Sequence, residues 1–129
     1  MLLSRLSKIA IRRTPESLMR LSTRQYVALS YIAHPEGISQ SALGEILCMD
    51  ANNVVLLLND LESNGWVRRV RDPTDRRRHI VEITGTGQAK LDYAVGALET
   101  IEDEVLANLD RDERDTLYRL LDKAVGDDP

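Results

Sequence analysis

Apolar residues fall first at helical spacing, then alternate, then return to helical spacing. Leu2, Leu6 and Ile9 share one face with Arg13, with Leu3 and Ala10 beside them, which predicts a helix over about 2–12. Thr14-Pro15 ends it, because a proline restricts the residue before it. Thr23 reads as the N-cap of a second helix, about 24–34, that carries Tyr26, Val27, Leu29, Ser30 and Ile32. His34-Pro35-Glu36-Gly37 reads as a turn. Ser39 caps a third helix, about 40–47, with Leu43, Ile46 and Leu47 inward. Asp50 caps a fourth, about 51–63, which Asn64-Gly65 closes. Short helices joined by a tight turn make a helix-turn-helix candidate.

The period then changes. Trp66 to Arg71 is strand-like, Asp72 to Asp75 is a turn, and His79 to Ile83 alternates again. A basic hairpin after a helix-turn-helix predicts a winged helix. Thr84 opens a long helix, about 86–109, with Leu91, Ala94, Val95, Leu98, Ile101, Val105, Leu106 and Leu109 at a spacing of three or four. Asp110 caps a last helix, about 111–125, with Leu117, Leu120, Leu121, Ala124 and Val125. So much apolar stripe needs cover, from the first and last helices and from a second copy of the chain. The expected fold class is therefore mainly α: a winged helix-turn-helix with a two-stranded wing and N- and C-terminal dimerisation helices. The expected division is 1–22 for the first dimerisation helix, 23–84 for the winged helix and 85–129 for the C-terminal dimerisation helices.

Composition narrows the class. A chain of 129 residues with 43% hydrophobic and 29% charged residues fits one folded domain or one protomer of a small oligomer. Phe is absent, so the core is mainly aliphatic. No apolar run reaches the roughly 18–20 residues of a membrane helix, so no membrane partner is expected. One cysteine makes neither an internal disulfide nor a Cys-rich zinc site, which fits a reducing compartment and a cytoplasmic expectation. The first fifteen residues lack acids and resemble a weak transit peptide, but Arg5 and Lys8 break the apolar stretch of a secretory signal. A structural helix is the favoured reading there.

The net charge of −4 conceals segregation. Residues 1–24 carry +5, 25–65 carry −5 with no Lys or Arg, 66–79 carry +4, and 80–129 carry −8. Six arginines within 66–79 point to an anion-binding surface rather than a merely solvated loop, since Arg suits bidentate contact with phosphates and base edges.

Residues 21–91 resemble the MarR family of transcriptional regulators. Leu61 with Gly65-Trp66-Val67, then Asp72-Pro73-Thr74-Asp75-Arg76-Arg77, then Ile83-Thr84 with Gly87 carry the resemblance in the family's order. It implies a dimeric winged-helix DNA-binding protein whose outer helices form the dimer and which small molecules or oxidants often release from DNA. This chain departs from the family pattern in the recognition helix, where Ala51, Leu56 and Asp60 stand at usual arginine positions. Cys48 replaces the usual turn glycine, and the N-terminal helix is short.

The candidate DNA-binding residues follow from both lines of argument. On the fourth helix, Val54, Leu57, Leu58 and Leu61 form the expected core face; Ala51, Asn52, Val55, Leu56 and Asn59 form the expected groove face. Asn52 suits an adenine edge, and Val55 and Leu56 suit thymine methyls or, equally, packing on another helix. Asn53 is a candidate whose alternative is local hydrogen bonding at the helix start. Ser39, Gln40 and Ser41 open the third helix, where hydroxyls and backbone N–H groups suit phosphate; plain capping is the favoured reading for Ser39. Arg71, Arg76, Arg77 and Arg78 are the wing candidates, with Asp75 expected to hold Arg77 for a minor groove. The alternative for that pair is an exposed salt bridge.

Cys48 is a possible redox residue beside a helix start, with a small apolar filler the favoured reading. Gly85-Thr86-Gly87 lacks the rest of any nucleotide motif, no Cys-His pair has ligand spacing, and Asp110, Asp112, Glu113 and Asp115 lack calcium-loop order. No catalytic residue, metal or cofactor is expected. The leading expectation is a homodimeric regulator, acting as a repressor on a pseudo-palindromic double-stranded DNA operator, with an unidentified small-molecule effector. The rival is a winged-helix module that uses its cation-free reading face on a protein.

Overall fold

The computed structural model describes residues 1–126. Its first helix, α1, spans Leu2–Arg13 and ends where the Thr14 hydroxyl bonds the Ala10 carbonyl. A short α2, Glu16–Met19, follows Pro15; the sequence pattern does not predict it. Arg20, in left-handed backbone, turns the chain out of α2 and stacks over the Tyr93 ring. The next helix, α3, spans Thr23–Ile32 and ends short of the expected 34. Ser22, not Thr23, is its cap: the Ser22 hydroxyl accepts from Gln25 N–H and the Gln25 side chain accepts from Ser22 N–H. A reciprocal cap satisfies two helix-end N–H groups, which a lone Thr23 hydroxyl would not.

β1, Ile38–Ser39, leads into α4, Gln40–Ile46, and α5, Ala51–Ser63. The wing strands are β2, Val67–Arg71, and β3, His79–Ile83. The sheet is three-stranded and antiparallel in the order β1-β3-β2, so the expected two-stranded wing gains a third, very short strand. Ile38 pairs with Val81, and Arg69 pairs with Val81 from the other side. Gly37 makes that approach possible: its φ is +69°, and a Cβ there would sit 2.6 Å from the Val81 carbonyl oxygen.

The long helix α6 spans Gly85–Val105 and stops four residues before the expected end. Arg114 explains the stop. Its guanidinium bonds the Asp103 carboxylate at 2.7 Å and the carbonyls of Asp103, Leu106 and Leu109, holding a turn where the apolar spacing alone would continue the helix. α7, Arg111–Val125, starts with a capping box between Asp110 and Glu113.

The core is aliphatic, with Leu29, Ile32, Leu43, Leu58, Leu61 and Val81 fully buried. Val54, Leu57, Leu58 and Leu61 of α5 all face it, as their spacing predicts. α1, α2 and α3 lie against α6. α1 and α7 bury no residue in the single chain.

Candidate nucleic-acid interface

α4 and α5 cross the helix-turn-helix corner through Cys48, whose φ is +51°. This is where the family resemblance expects glycine. The left-handed turn carries the Cys48 side chain to the surface, so it is exposed rather than an apolar filler. Asp50 then caps α5 by accepting from Asn53 N–H at 2.9 Å.

That cap also uses the Asn53 side chain, whose amide donates to the other Asp50 oxygen at 2.9 Å. Asn53 is thereby occupied at the helix start. Ser39 is equally occupied: it is 8% exposed and its hydroxyl accepts from Ala42 N–H. Its hydroxyl is thus committed to the cap, the reading the sequence favours for Ser39. Asn59 is exposed, but its side-chain oxygen accepts from Arg69 at 2.7 Å. Ala51, Asn52, Val55 and Leu56 remain as an uncommitted exposed face of α5. Asn52 has no side-chain hydrogen bond among the described residues.

The six wing arginines divide. Arg68 pairs with Glu82 across the hairpin at 2.7 Å, and Arg69 bonds Glu62 and Asn59 of α5. Arg71, Arg76 and Arg78 are exposed with no carboxylate within ion-pair distance among the described residues. Arg77 is 96% exposed on its side chain and lies 3.8 Å from Asp75. That contact is too long for a hydrogen bond, and Asp75 instead accepts from Arg77 backbone N–H at 3.0 Å. Asp75 thus shapes the wing turn and keeps a loose, exposed ion pair with Arg77. Asp72 steadies the same turn: its carboxylate accepts from the Thr74 hydroxyl and N–H, which hold its pKa below the usual value.

A cleft of about 500 Å³ lies between the wing and the helix-turn-helix. Gln40, Ser41 and Ala51 line one side and Arg77, Arg78 and His79 the other. The structure thus brings together candidates that lie nearly forty positions apart. Gly44, Glu45, Met49 and His79 line the cleft outside the expected set, and Glu45 is the acid among them. Its only signal was an acid one turn after Ser41. Among the described residues no cluster of His, Cys, Asp and Glu is placed to hold a metal, and no single helix is long and apolar enough to cross a membrane.

The MarR family sequence model matches residues 21–79. Transcriptional regulator HosA of Escherichia coli O111:H- is 32% identical over 113 residues, which cover 88% of this chain and 84% of HosA. The chain belongs to the MarR family. It is a winged-helix transcriptional regulator by that membership, and its fold agrees. Wild-type MarR of E. coli in its apo form superposes with a TM-score of 0.80 at 26% identity, over 97% of this chain and 94% of that one. A cysteine-to-serine variant of E. coli MarR complexed with operator DNA superposes with a TM-score of 0.73 at 26% identity, over 97% of this chain and 91% of the other. This chain carries a basic wing, and its α5 has no Lys or Arg.

Proposed function

We propose that this MarR-family regulator is a homodimeric, sequence-specific repressor in the cytoplasm. It grips a pseudo-palindromic duplex with its wing and is released by a small ligand or another signal. The observation that carries the reading is the set of exposed wing arginines, Arg71, Arg76, Arg77 and Arg78, of which Arg77 and Arg78 share a cleft with Ala51 at the start of α5. Arginines held by no strong internal acid suit phosphate contact, and a helix presenting uncommitted side chains next to them suits a major groove. The operator complex of a related MarR supports a DNA partner.

The proposed domain division follows: 23–84 binds DNA, while 1–22 and 85–129 form the dimer. Bare α1 and α7 support this, with Leu2, Leu3, Ile11, Tyr118 and Leu120 exposed. A two-fold dimer covers such surface and spaces two wings by about one turn of DNA, roughly 34–36 Å.

Selection from a random duplex pool with the purified protein tests the reading, alongside sedimentation. A two-fold motif bound by a dimer is expected, and a promoter reporter under that motif should rise when the regulator is deleted. A monomer that enriches no duplex would overturn the proposal. It would favour the protein-interaction reading, for which the absence of Lys and Arg across 25–65 is the specific support.

A further inference from the structure

We propose that α5 reads thymine methyl groups: Leu56, with Val55 beside it, seats against the C5-methyls of a short A·T run in each half-site, and Asn52 pairs with an adenine about two steps away. This deepens the DNA-binding reading above and rests on it.

The uncommitted face of α5 is small and uncharged. Leu56 is 65% exposed and Val55 37% among the described residues. Of the amides on this helix, Asn53 is held by Asp50 and Asn59 by Arg69, which leaves Asn52 free to read an edge. No Lys or Arg lies between residues 25 and 65, so the helix offers no bidentate donor for guanine O6 and N7. Arg69 is the basic side chain bonded to α5, and it is spent on Glu62 and Asn59.

Among major-groove edges, the thymine methyl is the apolar feature, and Asn pairs bidentately with adenine N6 and N7. A face made of Leu, Val and one free Asn therefore matches A·T pairs and lacks the donor for guanine. Asn52 and Leu56 are four residues apart, about 6 Å along a helix axis, or about two base-pair steps of 3.4 Å. The charge distribution favours DNA as the occupant over an apolar protein surface. Arg77 and Arg78 of the cationic wing line one cleft with Ala51, the first residue of this face, and with Glu45, so cations for phosphate lie at the helix start while the face itself carries none.

The test starts from the duplex that random-pool selection returns for the full chain. Each thymine is replaced singly by deoxyuridine, which removes the methyl and nothing else. Wild-type affinity is expected to fall about fourfold at one or two thymines per half-site. Leu56→Ala, at an exposed position, should bind thymine and uracil duplexes alike, whereas Leu56→Met should keep the penalty. Arg77→Ala should weaken every duplex and leave the penalty in place. Specific binding with no uracil penalty anywhere, a penalty unchanged in Leu56→Ala, or G·C-rich half-sites would overturn methyl reading and leave the DNA-binding reading standing. Failure to enrich any duplex would overturn both.

Discussion

Arg69 on β2 donates from Nη2 to the side-chain oxygen of Asn59 on α5 at 2.7 Å, and from Nε to Glu62 at 2.9 Å. The wing is thereby tied to the helix that it flanks, and one arginine of the basic segment is withdrawn from any outside anion. Arg68 pairs with Glu82 but is more open, with 68% of its side chain exposed against 24% for Arg69.

Salt titration of operator binding should separate the two sets. Each phosphate neutralised contributes about 0.9 to the slope of log affinity against log salt in B-DNA. Arg71→Ala, Arg76→Ala and Arg78→Ala should each flatten the slope by about that amount per half-site. Arg68→Ala and Arg69→Ala should leave it nearly unchanged. Equal effects in both sets would show that internal pairing does not sort the arginines.

Cys48 occupies left-handed backbone with φ +51° and an exposed side chain. An L residue in that region costs roughly 1–2 kcal/mol, and glycine relieves the strain at some expense in unfolded-chain entropy. Cys48→Gly should raise unfolding stability by about 0.5–1 kcal/mol, and Cys48→Ser should change it little. Urea midpoints at constant m-value measure both. A destabilised glycine variant would mean that the thiol makes contacts that outweigh the strain.

Two glycines of α6 should respond in opposite directions to alanine. A Cβ at Gly87 would lie 2.0 Å from the Trp66 carbonyl oxygen, whereas one at Gly96 meets nothing within 4 Å. Gly87→Ala should destabilise by about 3 kcal/mol or more, because backbone must move. Gly96→Ala should stabilise by about 0.8–1 kcal/mol through helix propensity. Thermal unfolding of the two variants should bracket wild type.

Asp72 is held below its ordinary pKa first by the Thr74 hydroxyl, then by Thr74 N–H, with a smaller contribution from the charge of Arg78. A depressed folded pKa makes the contribution fully present above the unfolded value of about 3.9 and lost as pH falls through the folded value. The wing turn should therefore hold at neutral pH and loosen only in acid. In an NMR titration the Asp72 carboxyl should move upward in Thr74→Val. An unmoved titration would mean that the hydroxyl does not hold it.

Much of the helical framework was legible in the sequence. Ser39, Asp50, Thr84 and Asp110 cap the helices that their side chains announce, and Val54, Leu57, Leu58 and Leu61 face the core that their spacing implies. Capping and periodicity act within one or two turns, so neighbouring residues suffice to state them. Two of the misread features depend on partners far along the chain, whereas the Ser22 cap turns on Gln25 three residues away. A two-residue β1 has no periodicity of its own and exists because Val81 and Ile80 pair with it. The apolar spacing of α6 runs past Val105, yet Arg114 closes the turn there from the next helix.

The candidate interface divides in the same way. By itself the sequence determined that residues 66–79 are arginine-rich and that α5 lacks cations, since composition and spacing are written along the chain. Only the tertiary structure decided which groups are spent. Arg68 meets Glu82, Arg69 meets Glu62 and Asn59, Ser39 is buried as a cap, and Arg77 and Arg78 close one cleft with Gln40 and Ser41. Whether a polar side chain remains available depends on hydrogen-bond partners and burial, and folding brings those together from distant positions.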